Sequence, residues 1–154
     1  MFYLSSSNSI KWAQSYSSTA NEFTAVAVVS STKIVGVMGG STSKFMIAYI
    51  SASSGSISGL YYLSGTPSYT VSNGAIAISG NNIVVAMQHN SHFAFMIVDY
   101  TTGTLKYFYQ CATYTGAATA LTTLSSTTVQ IGGYIINTNY REFFFTITPS
   151  TGAG

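Results

Sequence analysis

A β-hairpin signal that returns about every 48 residues is the feature that most constrains the fold. Its clearest copy is Phe93 to Tyr109, in which two runs of β-branched and aromatic residues flank the link TTGT. Gly103 in that link provides the residue that tolerates a positive φ. The first run, Phe93 to Tyr100, is apolar on both faces, so we expect it to lie between two layers. The second run, Leu105 to Tyr109, contains Lys106 and is expected nearer an edge.

The same turn position recurs at a nearly constant spacing. Gly55 lies 48 residues before Gly103, and Gly152 lies 49 residues after it. Asn8 lies 47 residues before Gly55, and Asn is the next-best residue after Gly for left-handed backbone. We therefore predict four related hairpins, with turn-forming residues Asn8, Gly55, Gly103 and Gly152.

Two more strands are predicted before each of the last three hairpins. No segment has a helical period, and the joints carry Ser, Thr, Asn and Gly, which favour turns. Each unit is thus predicted as a four-stranded antiparallel meander in an all-β chain. The division is 1–19 as the end of a split unit, 20–66 and 67–113 as complete units, and 114–154 as a unit without its last strand. The added strands are Thr24 to Ser30, Lys33 to Gly39, Gly74 to Ser79, Asn82 to Gln88, Ala118 to Ser125 and Thr127 to Ile136.

Four-stranded meanders that repeat at this length are typical of β-propeller blades. The pairs Gly39-Gly40 and Gly132-Gly133 resemble the double glycine of kelch blades, and DYTTGTLKY from Asp99 to Tyr107 resembles kelch and quinoprotein-like repeats. The middle unit departs from that pattern, since His89-Asn90 stands at the double-glycine position. The resemblance implies blades stacked face to face around an axis. A β-solenoid with shorter coils is the alternative fold.

The phase of the repeat predicts how chains associate. With strands lettered a to d, the predicted order is cd, abcd, abcd, abc. The unpartnered strand d near the N-terminus is the strand that the last unit lacks. The apolar strand Glu142 to Thr148 has no Lys or Pro in its centre to protect its edge. We expect strand exchange between subunits, giving a ring or a filament. The residues assigned to this contact are Ile10, Trp12, Gln14, Tyr16, Phe143, Phe144, Phe145 and Ile147.

Composition excludes several classes of protein. Only 5% of residues are charged, against about 25% in typical domains. The net charge of +2 is too small for a nucleic-acid footprint, and low net charge promotes association. A single cysteine, Cys111, allows no intrachain disulfide. No stretch reaches the 18 or more apolar residues of a membrane helix, and the start lacks signal-peptide features. We expect an extracellular location or one on a cell or particle surface.

Candidate chemical groups are few. The acidic residues are Glu22, Asp99 and Glu142, and no pair of them is poised for acid–base catalysis. We expect Asp99 to cap its turn and Glu142 to pair with the adjacent Arg141. We expect the segment His89-Asn90-Ser91-His92 to be a polar loop. The alternative is a metal site formed by the two histidines together with Asp99. We predict no enzyme activity and no cofactor.

The favoured functional hypothesis is a structural protein that assembles with itself. The split unit, the scarcity of charge and the absence of a recognisable active site favour it. One alternative is a module that binds glycans or another protein through Tyr, Asn and Trp on one rim. Another is a piece of a larger propeller protein whose functional groups lie outside this chain.

Overall fold

The computed structural model describes residues 2–4, 10–13, 22–39, 46–62, 69–70 and 75–151. These residues form thirteen strands and no helix, and every strand pairing among them is antiparallel. The all-β prediction is therefore confirmed. The strands are β1 (Phe2–Leu4), β2 (Ile10–Ala13), β3 (Glu22–Val28), β4 (Lys33–Gly39), β5 (Met46–Ser51), β6 (Ile57–Tyr62), β7 (Tyr69–Thr70), β8 (Ile76–Ser79), β9 (Asn82–His89), β10 (His92–Asp99), β11 (Thr104–Ser125), β12 (Thr128–Asn137) and β13 (Asn139–Ile147).

The strands form three sheets. β1 and β2 make a hairpin, and β3-β4-β5-β6 make a four-stranded meander in chain order. The third sheet has seven strands, in which β7 and β8 both pair with β9, followed in order by β10, β11, β12 and β13. Sequence alternation and turn residues thus placed most strands correctly, and predicted strand Lys33 to Gly39 has the bounds of β4.

β11 is one continuous strand of 22 residues, which the sequence did not predict. The predicted strands Leu105 to Tyr109 and Ala118 to Ser125 are its two ends. The first end pairs with β10 and the second with β12, so the sheet runs on without a break. The sheet is curled, and its C-terminal half folds back over β8 and β9. The Gln88 Nε2 donates to the Gly116 carbonyl (3.1 Å), and the Ser79 Oγ donates to the Ser126 carbonyl (2.8 Å) across this fold.

The curl creates three packed layers with β9 and β10 in the middle. Alternate side chains of these two strands face opposite layers, as the pleat requires. The expectation that Phe93 to Tyr100 lies between two layers is therefore confirmed for its strand residues. One cluster packs the middle layer against the β3–β6 sheet: Val35, Val37, Ile47, Tyr49, Ile83, Val85, Met87, Ala94, Met96 and Val98. The other packs it against the folded-back half: Ala77, Val84, Ala86, Phe93, Phe95, Ile97, Ala118, Val129, Ile131 and Ile147.

Two predicted turn residues adopt the same conformation. Gly55 and Gly103 both have φ of 75°. The Gly55 amide donates to the Ser51 carbonyl and the Gly103 amide to the Asp99 carbonyl, each at 2.8 Å. These two turn predictions are confirmed, whereas Asn8 and Gly152 lie outside the described residues.

The hairpins that carry these turns also share a backbone irregularity. The pairing register shifts between Tyr49 and Ile50 in β5 and between Ile97 and Val98 in β10, 48 residues apart. The N-terminal hairpin β1–β2 has the same kind of shift, between Tyr3 and Leu4. Such bulges bend a strand and increase its twist, so the three hairpins share this local backbone geometry.

We predict that Gly103→Val lowers stability by about 1–3 kcal/mol, because a β-branched residue is strained at positive φ. Gly55→Val should cost more, because its Cβ would lie 2.5 Å from a ring carbon of Trp12. Thermal melting measures both. Gly103→Asn is the matched control, since Asn tolerates left-handed backbone. Equal melting temperatures for Gly103→Val and Gly103→Asn would contradict the strain argument.

Candidate assembly site

The outer edge of β13 is open. β13 pairs with β12 along nine residues, and no strand of the described part of the chain pairs with its other side. An unpaired edge presents a row of amide and carbonyl groups that can accept another strand. Phe143, Phe145 and Ile147 project to the inner side of the sheet, and Phe144 projects to the outer side.

An apolar cleft of about 500 Å³ lies beside this edge. Aromatic rings dominate it: the Phe93 and Phe143 ring centres are 4.7 Å apart, and the Phe95 and Tyr109 rings stack at 5.3 Å. Such contacts join β10 and the first half of β11 to β13. The cleft is lined by Phe93, Phe95, Tyr109, Cys111, Ile135, Phe143, Phe144, Phe145 and Ile147, none of which carries a charge.

The cleft exists because the two layers that enclose it have unequal numbers of strands. The middle layer contains β8, β9, β10 and the first half of β11. The layer folded over it contains the second half of β11, β12 and β13. A fourth strand beside β13 would complete the upper layer and cover the cleft.

The outer face of the same three strands combines exposed apolar residues with polar ones, among them Glu142 and Gln130. Phe144 is 76% exposed, and Leu124, Ile136 and Tyr140 are exposed around it. The Tyr134 and Tyr140 rings stack on this face with centres 4.8 Å apart. A shallow pocket of about 140 Å³ lies beside Phe144, where Gly132 has no side chain to fill the space.

Equivalent positions in the other units are buried. Ile47, Phe95 and Phe144 each lie four residues before the residue whose carbonyl accepts the hydrogen bond of the following turn. Ile47 is 1% exposed and Phe95 is 6% exposed, because the next layer covers each of them. The third unit therefore exposes the side that the first two units bury.

The predicted assembly residues divide into three groups. Phe143, Phe144, Phe145 and Ile147 lie at the open edge, as described above. Trp12 packs on the β5–β6 turn, where its Nε1 donates to the Ala52 carbonyl (2.9 Å). Ile10 lies in β2, and Gln14 and Tyr16 lie outside the described residues.

Five cleft residues were not assigned to the site from sequence, and one of them, Ile135, lies in β12. The other four, Phe93, Phe95, Tyr109 and Cys111, come from the central hairpin, which the sequence assigned to a complete unit. Only the curl of β11 brings them opposite β13. The aromatic runs around residues 108 and 144 were the available signal, since large aromatic surfaces mark packing interfaces.

The histidine segment is not a loop, which corrects the sequence interpretation. His89 ends β9 and His92 begins β10, and the two are directly paired across a tight two-residue turn. Asn90 and Ser91 both have positive φ, as this kind of hairpin turn requires. His89 is buried with its Nδ1 2.7 Å from the Gln110 Oε1, and the His92 Nδ1 lies 2.8 Å from the Tyr114 carbonyl.

Asp99 does not approach the histidines. It ends β10 seven residues after His92, about 23 Å away along an extended strand. In the described part of the chain, no cluster of three or more His, Cys, Asp or Glu side chains could hold a metal ion.

Asp99 caps its turn, as predicted. Its Oδ1 accepts from the Thr101 hydroxyl (2.6 Å) and amide (2.9 Å), and its Oδ2 lies 3.1 Å from the Lys106 Nζ. The Thr101 hydroxyl, with smaller contributions from the amide and Lys106, lowers the pKa of Asp99 to about 2. The predicted Arg141–Glu142 ion pair is wrong, because adjacent residues of β13 project to opposite faces.

Comparison of the chain with models of known protein families and with curated proteins found no match to either. Among the residues that the structure describes, there is no helix with the length and apolar character needed to cross a membrane.

The lowered pKa of Asp99 predicts an acid-sensitive turn. Because the folded pKa lies below the usual 3.8, the carboxylate stabilises the fold above about pH 4. That stabilisation is lost as the pH falls towards 2. Asp99→Asn should cost ~1 kcal/mol at neutral pH and flatten the fall in melting temperature between pH 4 and 2.

Thr101→Val is the matched control for this prediction. It removes the largest cause of the shift and keeps the carboxylate, so the loss of stability between pH 4 and 2 should be smaller than in the unaltered chain and larger than in Asp99→Asn. Identical pH profiles for all three chains would contradict the capping role of Asp99.

Proposed function

We propose that this chain is a structural protein that assembles with itself, built from four-stranded units of the β-propeller type. The observation that supports this proposal best is the outer face of the third unit. That face carries Phe144 at 76% exposure, at a position where the first two units bury Ile47 and Phe95. Large exposed apolar faces of this kind mark sites of protein association.

The stacking of units within the chain has one direction. Val35, Val37, Ile47 and Tyr49 of the first complete unit face the second unit. Val84, Ala86, Phe95 and Ile97 of the second face the third. The equivalent face of the third unit would meet the first unit of another copy. Such a contact is heterologous, so it gives a ring if the rotation closes and a filament if it does not.

We favour an open filament or tube over a closed ring. The closed-ring alternative would contain two chains, which together supply six units, a common propeller size. A surface with few charges offers little repulsion to limit growth. Electron micrographs of the native particle distinguish the two forms directly.

A binding module is the second candidate. The stacked Tyr134 and Tyr140 rings form an exposed aromatic surface with hydroxyl groups at its rim. Rings of this type combine apolar area with a polar end, which suits glycan or protein partners. A glycan array that gives a signal with the intact chain and none with Tyr140→Ala would favour this alternative.

The assembly proposal predicts that one substitution changes the oligomeric state. Phe144→Asp should convert the assembled protein to monomers, because it replaces the exposed aromatic ring of the proposed contact with a charge. The melting temperature of the monomer should change little, since Phe144 is exposed. Light scattering after gel filtration gives the mass, and circular dichroism gives the melting curve.

Ile47→Asp is the control at the equivalent buried position. It should unfold the chain, because an unpaired charge would lie in the core. If the Phe144→Asp chain keeps the mass of the unaltered protein, this face is not an assembly surface and the proposal fails.

A further inference from the structure

We propose that β1 occupies an edge of β2 within the unassembled chain. On assembly, β13 of a neighbouring copy replaces β1 on that edge. The inference rests on the proposed self-assembly and names the segment that fills the open site. In the assembled state, β2 of one copy would become the fourth strand beside β13 of the next, over the apolar cleft.

The first argument is the register of the β1–β2 hairpin. Its shift between Tyr3 and Leu4 is the shift that joins third and fourth strands in the two complete units. β2 therefore already has the backbone form of a fourth strand. β1 has the form of a third strand, which is the place that β13 has in the third unit.

The second argument is that β13 carries the matching residues at matching positions. Ile50 pairs with Ile34, Val98 with Ile83 and Ile147 with Val129, so Ile147 lies at the position of Ile50 and Val98. The N-terminal residue at that position is Leu4.

The first residue of the segment also agrees in type, whereas the second is Tyr3 in β1 and Thr146 in β13. β1 reads Phe-Tyr-Leu from residue 2, and β13 reads Phe-Thr-Ile from residue 145. Both have an aromatic residue first and a branched aliphatic residue last. A strand that accepts β1 can therefore accept this part of β13 in the same register.

The third argument is the chemistry of the cleft. In the exchanged register, Ala13 would lie opposite Phe145 and Ile10 opposite Ile147, by analogy with their present partners Phe2 and Leu4. Both positions of β2 carry apolar residue types, and the cleft has an apolar lining of about 500 Å³. An occupant with charged residues at these positions would be disfavoured.

Trp12 shows how β2 can exchange its partner strand while it stays packed on the β5–β6 turn of its own chain. Its indole packs on Gly55, and its Nε1 is bonded to the Ala52 carbonyl. Neighbouring residues of a strand project to opposite faces, so the exposed Ala13 projects away from the side on which Trp12 packs. Trp12 would hold β2 against its own β5–β6 turn before and after the exchange.

Cysteine crosslinking tests the register. In a Cys111→Ala background, one chain carries Ala13→Cys and a second carries Phe145→Cys. Directly opposed residues of an antiparallel pair lie within disulfide reach. We expect a crosslinked dimer only when the two chains are mixed and oxidised. Thr146→Cys is the matched control, one residue out of register, and should give at least tenfold less dimer than Phe145→Cys.

A reversible lock tests whether β1 must leave. Phe2→Cys with Ala13→Cys, also in the Cys111→Ala background, joins a pair that is opposed within one chain. The oxidised chain should remain monomeric, and reduction should restore assembly. This variant keeps Phe145 intact, so it stays informative if Phe145→Cys does not fold.

The two proposals fail in different ways. If the oxidised lock assembles as well as the reduced form, or if no register-specific dimer appears, strand exchange is wrong while stacking of faces stands. If the intact chain is a monomer at all concentrations tested, self-assembly itself is wrong.

Discussion

The structure depends on one constraint: a sheet with two apolar faces must be covered on both of them. β9 and β10 each bury six consecutive residues, so neither face of their layer can meet water. The β3–β6 sheet covers one face, and the folded-back half of β11 with β12 and β13 covers the other. Repeat proteins end such a series with a unit whose outer face is polar. The outer face of the third unit here exposes Phe144 and Tyr140 between polar residues such as Glu142 and Gln130.

Local pattern was sufficient to predict most of the strands and turns. Alternation and β-branched runs act over a few residues, and Gly55 and Gly103 mark turns that only left-handed backbone can make. The two-sided burial of Phe93 to Tyr100 also followed from residue type, since a run with no polar side leaves no face for solvent. The assignment of Phe144 to assembly could be made from the repeat, because this repeat position is apolar in the third unit as it is in the first two.

The curl and the cleft could not be predicted, because they arise from contacts between distant backbones. Gly116 and Gly133 allow β11 and β12 to approach closely: a Cβ on Gly133 would lie 2.2 Å from the Ala117 carbonyl oxygen. In the sequence, Gly132-Gly133 resembles the double glycine of kelch blades. In the structure, Gly133 provides the space for the close approach of β11 and β12. Residues 111–117 contain no Pro and no cluster of turn residues, so they gave no sign that two strands or one would form.

Backbone geometry, more than charge, must determine which surfaces meet in this protein. With 5% charged residues, electrostatic matching has little with which to select a partner or a register. A one-residue slip of a strand moves every side chain to the wrong face, so something else must hold the register. The shared bulges at Tyr49–Ile50 and Ile97–Val98 do this within the chain. Since β1–β2 has the same bulge, a contact between copies that uses β2 would inherit its register from the backbone of that strand.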